Sequence, residues 1–159
     1  MTRQAILGHS MGGHGALTLY LSSSTKQYRS ASAFAPISNP MKCPWGQTCF
    51  SGYLQGGVPE AKERYDATEL ISRATGPVNI LIDYVGVLAC LLIRHLRLRS
   101  VPKGTADNFY KQGQLLPENF LEAARNAGYD EHSVRVRPQE GYDHSYYFVS
   151  YRRMCEYLH

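Results

Sequence analysis

Paired cysteines are missing from this sequence. Cys43, Cys49, Cys90 and Cys155 are scattered, with none of the Cys-x-x-Cys or Cys/His spacings that hold zinc. Zinc-ribbon and zinc-finger classes are thereby excluded, and reduced thiols in a cytoplasmic protein are the expectation. Long apolar runs are missing too: the stretch from Val85 to Ile93 falls far short of the roughly 20 residues that span a bilayer. The start, Met1-Thr2-Arg3-Gln4-Ala5-Ile6-Leu7-Gly8, has too short an apolar segment for a signal peptide and no small-residue cleavage site, so no secretion is expected. Interleaved basic and aromatic residues of the kind that bind nucleic acid are also absent. The net charge of +4 is concentrated in Arg94, Arg97, Arg99 and Lys103, and the other 13 basic residues balance the 13 acidic ones.

What is present is an ordinary globular composition, 43% hydrophobic and 19% charged, in a length of 159 residues that suits one domain with a real core. Gln4 to Leu7 reads as a short strand and Met11 to Leu21 as a helix. Ser30-Ala31-Ser32-Ala33-Phe34-Ala35 has the small, apolar character of a strand buried on both faces, stopped by Pro36 and Pro40. Ser38 to Val58 reads as loop, since Pro44, Gly46, Gly52, Gly56 and Gly57 break regular structure. Its aromatic residues Trp45, Phe50 and Tyr53 suit either a cap over a pocket or a cover for the core. Asp66 caps a short helix ending near Ile71, with Glu69 completing a capping box. Val78 to Asp83 is a second core strand, and Glu118 to Ala127 an amphipathic helix opened by Pro117 and closed by Gly128. Ser133 to Arg137 alternates valine with arginine, as a strand near a sheet edge does. Tyr146 to Leu158 is expected as a last helix. This alternation implies an α/β fold: a mostly parallel sheet covered by helices on both faces.

Gly8-His9-Ser10-Met11-Gly12 has the Gly-x-Ser-x-Gly form of a nucleophile elbow, a strand turning sharply into a helix with a serine at the crest. The turn is expected to require both Gly8 and Gly12 to lack a side chain. Five residues alone are a weak signal, and a glycine-rich helix start that binds nothing shares the pattern. A serine hydroxyl needs a base to take its proton and an acid to orient that base. In the alpha/beta-hydrolase arrangement these follow in the order serine, acid, histidine, on loops beyond the strand ends. Of the six histidines, His144 fits, in a loop after the Ser133 to Arg137 strand. His9 and His14 are expected to pack or hydrogen-bond locally, and His95, His132 and His159 to be solvated. Asp143 adjoins His144 and would point away from it. Asp83 ends the second core strand and Asp107 lies further along the same connection, and spacing does not separate them.

A series of segments in order resembles the S-formylglutathione hydrolase (esterase D) family. They are Gly8 to Leu17, Ser32-Ala33-Phe34-Ala35-Pro36-Ile37 with Asn39-Pro40, Cys43-Pro44-Trp45-Gly46, Phe50-Ser51-Gly52-Tyr53-Leu54, Tyr65-Asp66-Ala67-Thr68 and Gly141 to Phe148. The resemblance implies an alpha/beta-hydrolase with Ser10 as nucleophile and His144 as base. It favours Asp107 as acid, because Gly104-Thr105-Ala106-Asp107-Asn108-Phe109 matches the family's Gly-x-x-Asp-x-Phe. It implies hydrolysis of a glutathione thioester to formate and glutathione, without metal or organic cofactor. The Met11 backbone N–H would be one oxyanion donor, and Trp45 and Tyr53 would wall a small acyl pocket. A general carboxylesterase, or a non-catalytic truncated product, is the alternative. A homodimer is a further expectation, and no motif specifies it.

Two departures from the family stand out. The chain corresponds to roughly the family's C-terminal half, so the first strands and the second oxyanion donor are expected to be missing. Loss of one such donor costs about 2.7–4 kcal/mol of transition-state stabilisation. The second departure is the segment of about 84–103, apolar and then basic, which interrupts the connection between the core strand and Asp107. Translated intron sequence explains its composition and charge; a membrane-surface helix is the competing reading.

Overall fold

The computed structural model describes residues 4–23, 27–85, 107–139 and 144. Four strands form one parallel sheet in the order β1 (Ala5–His9), β2 (Ser30–Phe34), β3 (Ile80–Val85) and β4 (Val134–Gln139). Their register runs His9↔Phe34, Phe34↔Asp83 and Asp83↔Arg137, so the C-terminal ends are level. The segments leaving β1, β2 and β3 therefore start from one rim, where parallel α/β sheets place their ligands. Parallel order and strand–helix alternation agree with the expected fold, and among the described residues β1 and β4 are the edges.

The two-residue period of the strands selects the core. Ala31 and Ala33, Ile80 and Ile82, and Val134 share one face, with Ile6 and Val136 packed against them. That face is covered by α1 (Met11–Ser22), α4 (Ala67–Ile71) and α6 (Pro117–Asn126), which contribute Leu17, Ile71, Phe120 and Ala124. Alanines on β2 let α1 lie close, and the fully buried Leu17 and Phe120 fill the space. The helix expected over Tyr146 to Leu158 lies outside the described residues, as does the segment 86–103. Tyr84 and Val85 extend β3 beyond its expected end at Asp83, because Pro138 and Gln139 of β4 continue the ladder beside them.

The stretch read as loop is helical. A 3₁₀ turn at Pro40–Lys42 leads into α2 (Pro44–Tyr53), and α3 (Gly57–Arg64) follows. Pro44 occupies the first helical turn, where a missing N–H costs nothing. Gly46 is a packing requirement and not a breaker: a Cβ there would lie 2.2 Å from the Pro40 carbonyl oxygen. Asp66 caps α4 as expected, accepting from the Thr68 and Glu69 N–H groups, and it also accepts from Asn39 Nδ2 and the Met41 N–H. One fully buried carboxylate thus ties the segment after β2 to the core helices. The short helix α5 (Asn108–Lys111) was not legible as an element.

Candidate active site

Ser10 sits where β1 ends and α1 begins, with φ 54° and ψ −119°. For a residue with a side chain this conformation costs about 1–3 kcal/mol, so the surroundings must impose it. Its N–H donates to the Phe34 carbonyl (2.8 Å) and its carbonyl accepts from the His14 N–H (3.0 Å), fixing both sides of the turn. A serine before a helix usually caps it with its hydroxyl, but Ser10 makes no such bond. Its Oγ lies instead 2.9 Å from His144 Nε2.

The glycines around it are not equivalent. A Cβ on Gly8 would lie 2.1 Å from the Gly12 carbonyl oxygen, so the expectation for Gly8 holds. At Gly12 a Cβ would meet nothing within 4 Å among the described residues. The backbone of Gly12, not a missing side chain, is what approaches β1. Gly13 takes the second constrained place, with a Cβ 3.1 Å from both the Gly8 oxygen and Pro36 Cβ.

Asp107 is fully buried and divides its two oxygens. Oδ1 accepts from the Phe109 N–H (2.8 Å) and, at 3.4 Å, the Tyr110 N–H, capping α5. Oδ2 accepts from His144 Nδ1–H at 2.6 Å. With Nδ1 carrying its hydrogen toward the carboxylate, Nε2 of the neutral ring is the acceptor and the Ser10 hydroxyl donates to it. The serine, histidine and aspartate that sequence reading favoured are brought together, from three separate parts of the chain.

Asp83, the other acid considered, is equally buried but otherwise committed. Its Oδ1 and Oδ2 accept from Arg137 Nε (2.7 Å) and Nη2 (2.8 Å). Met11 opens α1, so its N–H belongs to the first turn, where an α-helix offers no internal acceptor. Its side chain is exposed. Trp45 packs on a second buried cluster formed by Ala35, Ile37 and Leu115, together with Tyr110. Tyr53 is 87% exposed at the end of α2 and joins neither buried cluster among the described residues. His14 is held below the ordinary histidine pKa, chiefly by burial and against the opposing effects of Asp66 and the Tyr65 and Ile37 backbone. His132 is exposed, while His95 and His159 lie outside the described residues.

Two contacts of the site were not anticipated. The Phe109 ring stands 4.6 Å from the His144 ring, centroid to centroid. His9, expected to bond locally, donates from Nε2 to the His144 carbonyl oxygen (2.8 Å), and the two rings lie 5.0 Å apart. Phe109 belonged to a segment already singled out, whereas no local pattern links His9 to a residue 135 positions away. Among the described residues no three His, Cys, Asp or Glu side chains converge as metal ligands, and no helix is long and apolar enough to cross a membrane.

The family model named Esterase ("Putative esterase") matches residues 1–84. Over 150 residues the chain is 46% identical to an S-formylglutathione hydrolase of Rattus norvegicus and 45% to one of Arabidopsis thaliana. These alignments cover 93% and 94% of this chain and 44% of each relative. The chain thus spans less than half the length of the curated relatives it matches. Among solved structures, an S-formylglutathione hydrolase from Agrobacterium tumefaciens superposes with TM-score 0.72 at 34% identity, covering 99% of this chain and 49% of that one. Dipeptidyl peptidase 4 of Porphyromonas gingivalis shares the fold, with TM-score 0.58 at 19% identity over 97% of this chain and 19% of that one.

Proposed function

This chain belongs to the Esterase family, and from that premise we propose that it carries the hydrolytic site of a serine thioesterase acting on S-formylglutathione. One observation carries the reading: Ser10 Oγ lies 2.9 Å from His144 Nε2, whose Nδ1 lies 2.6 Å from a buried Asp107. The names of the relatives supply the substrate class.

In the proposed reaction Ser10 Oγ passes its proton to His144 Nε2 while attacking the formyl carbon. Asp107 balances the imidazolium that forms and keeps Nδ1–H directed away from the nucleophile. The Met11 N–H, at the positive end of α1, donates to the developing oxyanion. The carbon–sulfur bond breaks, the proton on Nε2 goes to the departing glutathione sulfur, and a formyl ester remains on Ser10. Water then adds to that ester, giving one proton to Nε2; that proton returns to Ser10 as formic acid leaves, and the acid ionises to formate in solvent. No step requires a metal or an organic cofactor.

Trp45 is the residue proposed for the wall of the acyl pocket. It packs on Ala35, the residue after Phe34, whose carbonyl accepts the Ser10 N–H. A cytoplasmic setting belongs to the same proposal and is supported by Cys43, a buried thiol whose Sγ–H donates to the Gln114 carbonyl at 3.3 Å. The test is to offer the purified chain S-formylglutathione and a chromogenic acetate ester, with Ser10→Ala as control. Thioester hydrolysis that disappears in Ser10→Ala supports the proposal. Ester hydrolysis alone replaces it with a general carboxylesterase, and activity on neither in a folded sample overturns catalysis by this chain.

A further inference from the structure

The base needs more than its two catalytic partners. Asp107 and Ser10 hold the two nitrogens of the His144 ring, but neither fixes the backbone from which that ring projects. Among the described residues one contact reaches this backbone, the bond from His9 Nε2–H to the His144 carbonyl at 2.8 Å. A carbonyl oxygen only accepts, so Nε2 of His9 must carry the hydrogen. His9 is also the last residue of β1, paired with Phe34 in the sheet and bonded covalently to Ser10. The base-bearing residue is therefore tied to the strand that presents the nucleophile. The His144 ring lies 4.6 Å from the Phe109 ring and 5.0 Å from the His9 ring, centroid to centroid.

We propose that His9 is a positioning residue for the base: through its bond to the His144 carbonyl it sets the distance between His144 Nε2 and Ser10 Oγ. The chemistry it serves rests on the hydrolase reading above, but the positioning itself is independent of substrate. Proton transfer is sensitive to this distance, and misplacing a reacting group by about 1 Å can cost about 10²-fold. His9 bonds the backbone of the base and neither of its ring nitrogens, so its effect falls on the rate and not on substrate binding.

The test compares three replacements of His9 in the full chain. His9→Gln places an amide N–H at nearly the reach of Nε2 and can restore the bond. His9→Asn is one methylene too short, and His9→Phe keeps a ring without a donor. Two readouts are taken: hydrolysis of a chromogenic acetate ester, and the downfield Nδ1–H resonance of His144 in ¹⁵N-histidine-labelled protein. The expected result is a kcat lowered about tenfold or more by Asn and Phe, with KM unchanged and most of the rate restored by Gln. The Nδ1–H signal should persist in wild type and Gln, and broaden through solvent exchange in Asn and Phe. An unaltered signal in folded Asn and Phe variants overturns the proposal, as does a Gln variant that behaves like Asn. If wild type shows the signal and its loss pattern but no hydrolysis, the positioning role stands and the hydrolase reading fails.

Discussion

Adding a single methyl group at Gly8, Gly13 or Gly12 should have three different results, although the three glycines look alike in the elbow sequence. At Gly8 the new Cβ would lie 2.1 Å from the Gly12 oxygen, 2.3 Å from the Gly12 carbonyl carbon and 2.8 Å from the Gly13 nitrogen. All three atoms are backbone and cannot rotate away. Restoring van der Waals distance requires α1 to move from β1 by about 1 Å or more. That displacement acts on the 2.9 Å separation between Ser10 and His144, so Gly8→Ala should lower hydrolysis about 10²-fold. It should also destabilise the fold by about 3 kcal/mol, the upper end of ordinary overpacking. At Gly13 the contacts are 3.1 Å, which neighbours relieve by a few tenths of an ångström. That strain is offset by the gain of about 0.8–1 kcal/mol from replacing glycine in a helix, leaving Gly13→Ala near neutral. At Gly12 no described residue opposes the gain, and Gly12→Ala should stabilise by up to about 1 kcal/mol. Urea unfolding followed by circular dichroism measures all three, with an unchanged slope confirming that stability alone has altered. A Gly12→Ala protein as unstable as Gly8→Ala would refute the claim that close approach is confined to Gly8 and Gly13.

Asp107 and Asp83 should separate rate from stability. Asp107→Asn should lower kcat about 10⁴-fold by favouring the wrong histidine tautomer, with the acyl-enzyme burst lost in parallel. Arg137→Met, by leaving the Asp83 carboxylate buried without its guanidinium, should cost about 3–5 kcal/mol in denaturant unfolding. The lowered pKa of His14 makes the unfolded chain bind more protons just below the ordinary histidine pKa, so stability rises with pH there. The contribution is complete above that value and is lost as pH falls toward the folded-state pKa. Denaturation midpoints measured downward from pH 7 should show this slope, and His14→Phe should flatten it. Trp45→Ala should raise activity toward acyl groups bulkier than formyl relative to formyl itself; an unchanged ratio of kcat/KM values would remove Trp45 from the acyl pocket.

The strands were legible because their signals are short-range. The small, apolar run at 30–34, the branched run at 80–82 and the valines spaced by two at 134 and 136 mark strands, and Ala31, Ala33, Ile80, Ile82 and Val134 lie on the buried face. The helix at Pro117–Asn126 declared itself by period, proline and closing glycine. The region 40–64 did not, because its glycines and prolines serve tertiary contacts. Gly46 admits the Pro40 carbonyl, and Pro44 starts a helix that it was counted as breaking. Asp66 shows the same limit in reverse. Its capping role is local and visible, while its bonds to Asn39 and Met41 depend on two segments meeting in space.

The choice of acid shows why spacing alone could not complete the site. Asp83 lies near the end of β3 and Asp107 on the connection beyond it, and each ends fully removed from water. A carboxylate can orient a histidine only if one of its oxygens remains available, so the deciding question is what else each one binds. The register that sets Asp83 beside Arg137 on a parallel neighbour turns both of its oxygens toward a guanidinium. Among the described residues Asp107 meets no such partner: the backbone of α5 takes Oδ1 and leaves Oδ2 for His144. The alternating arginines of 134–137 were visible in the sequence, but the register was not, since a one-residue slip would have turned Arg137 to the opposite face. The family resemblance chose Asp107 by pattern. The physical ground for that choice is the arginine that occupies its rival.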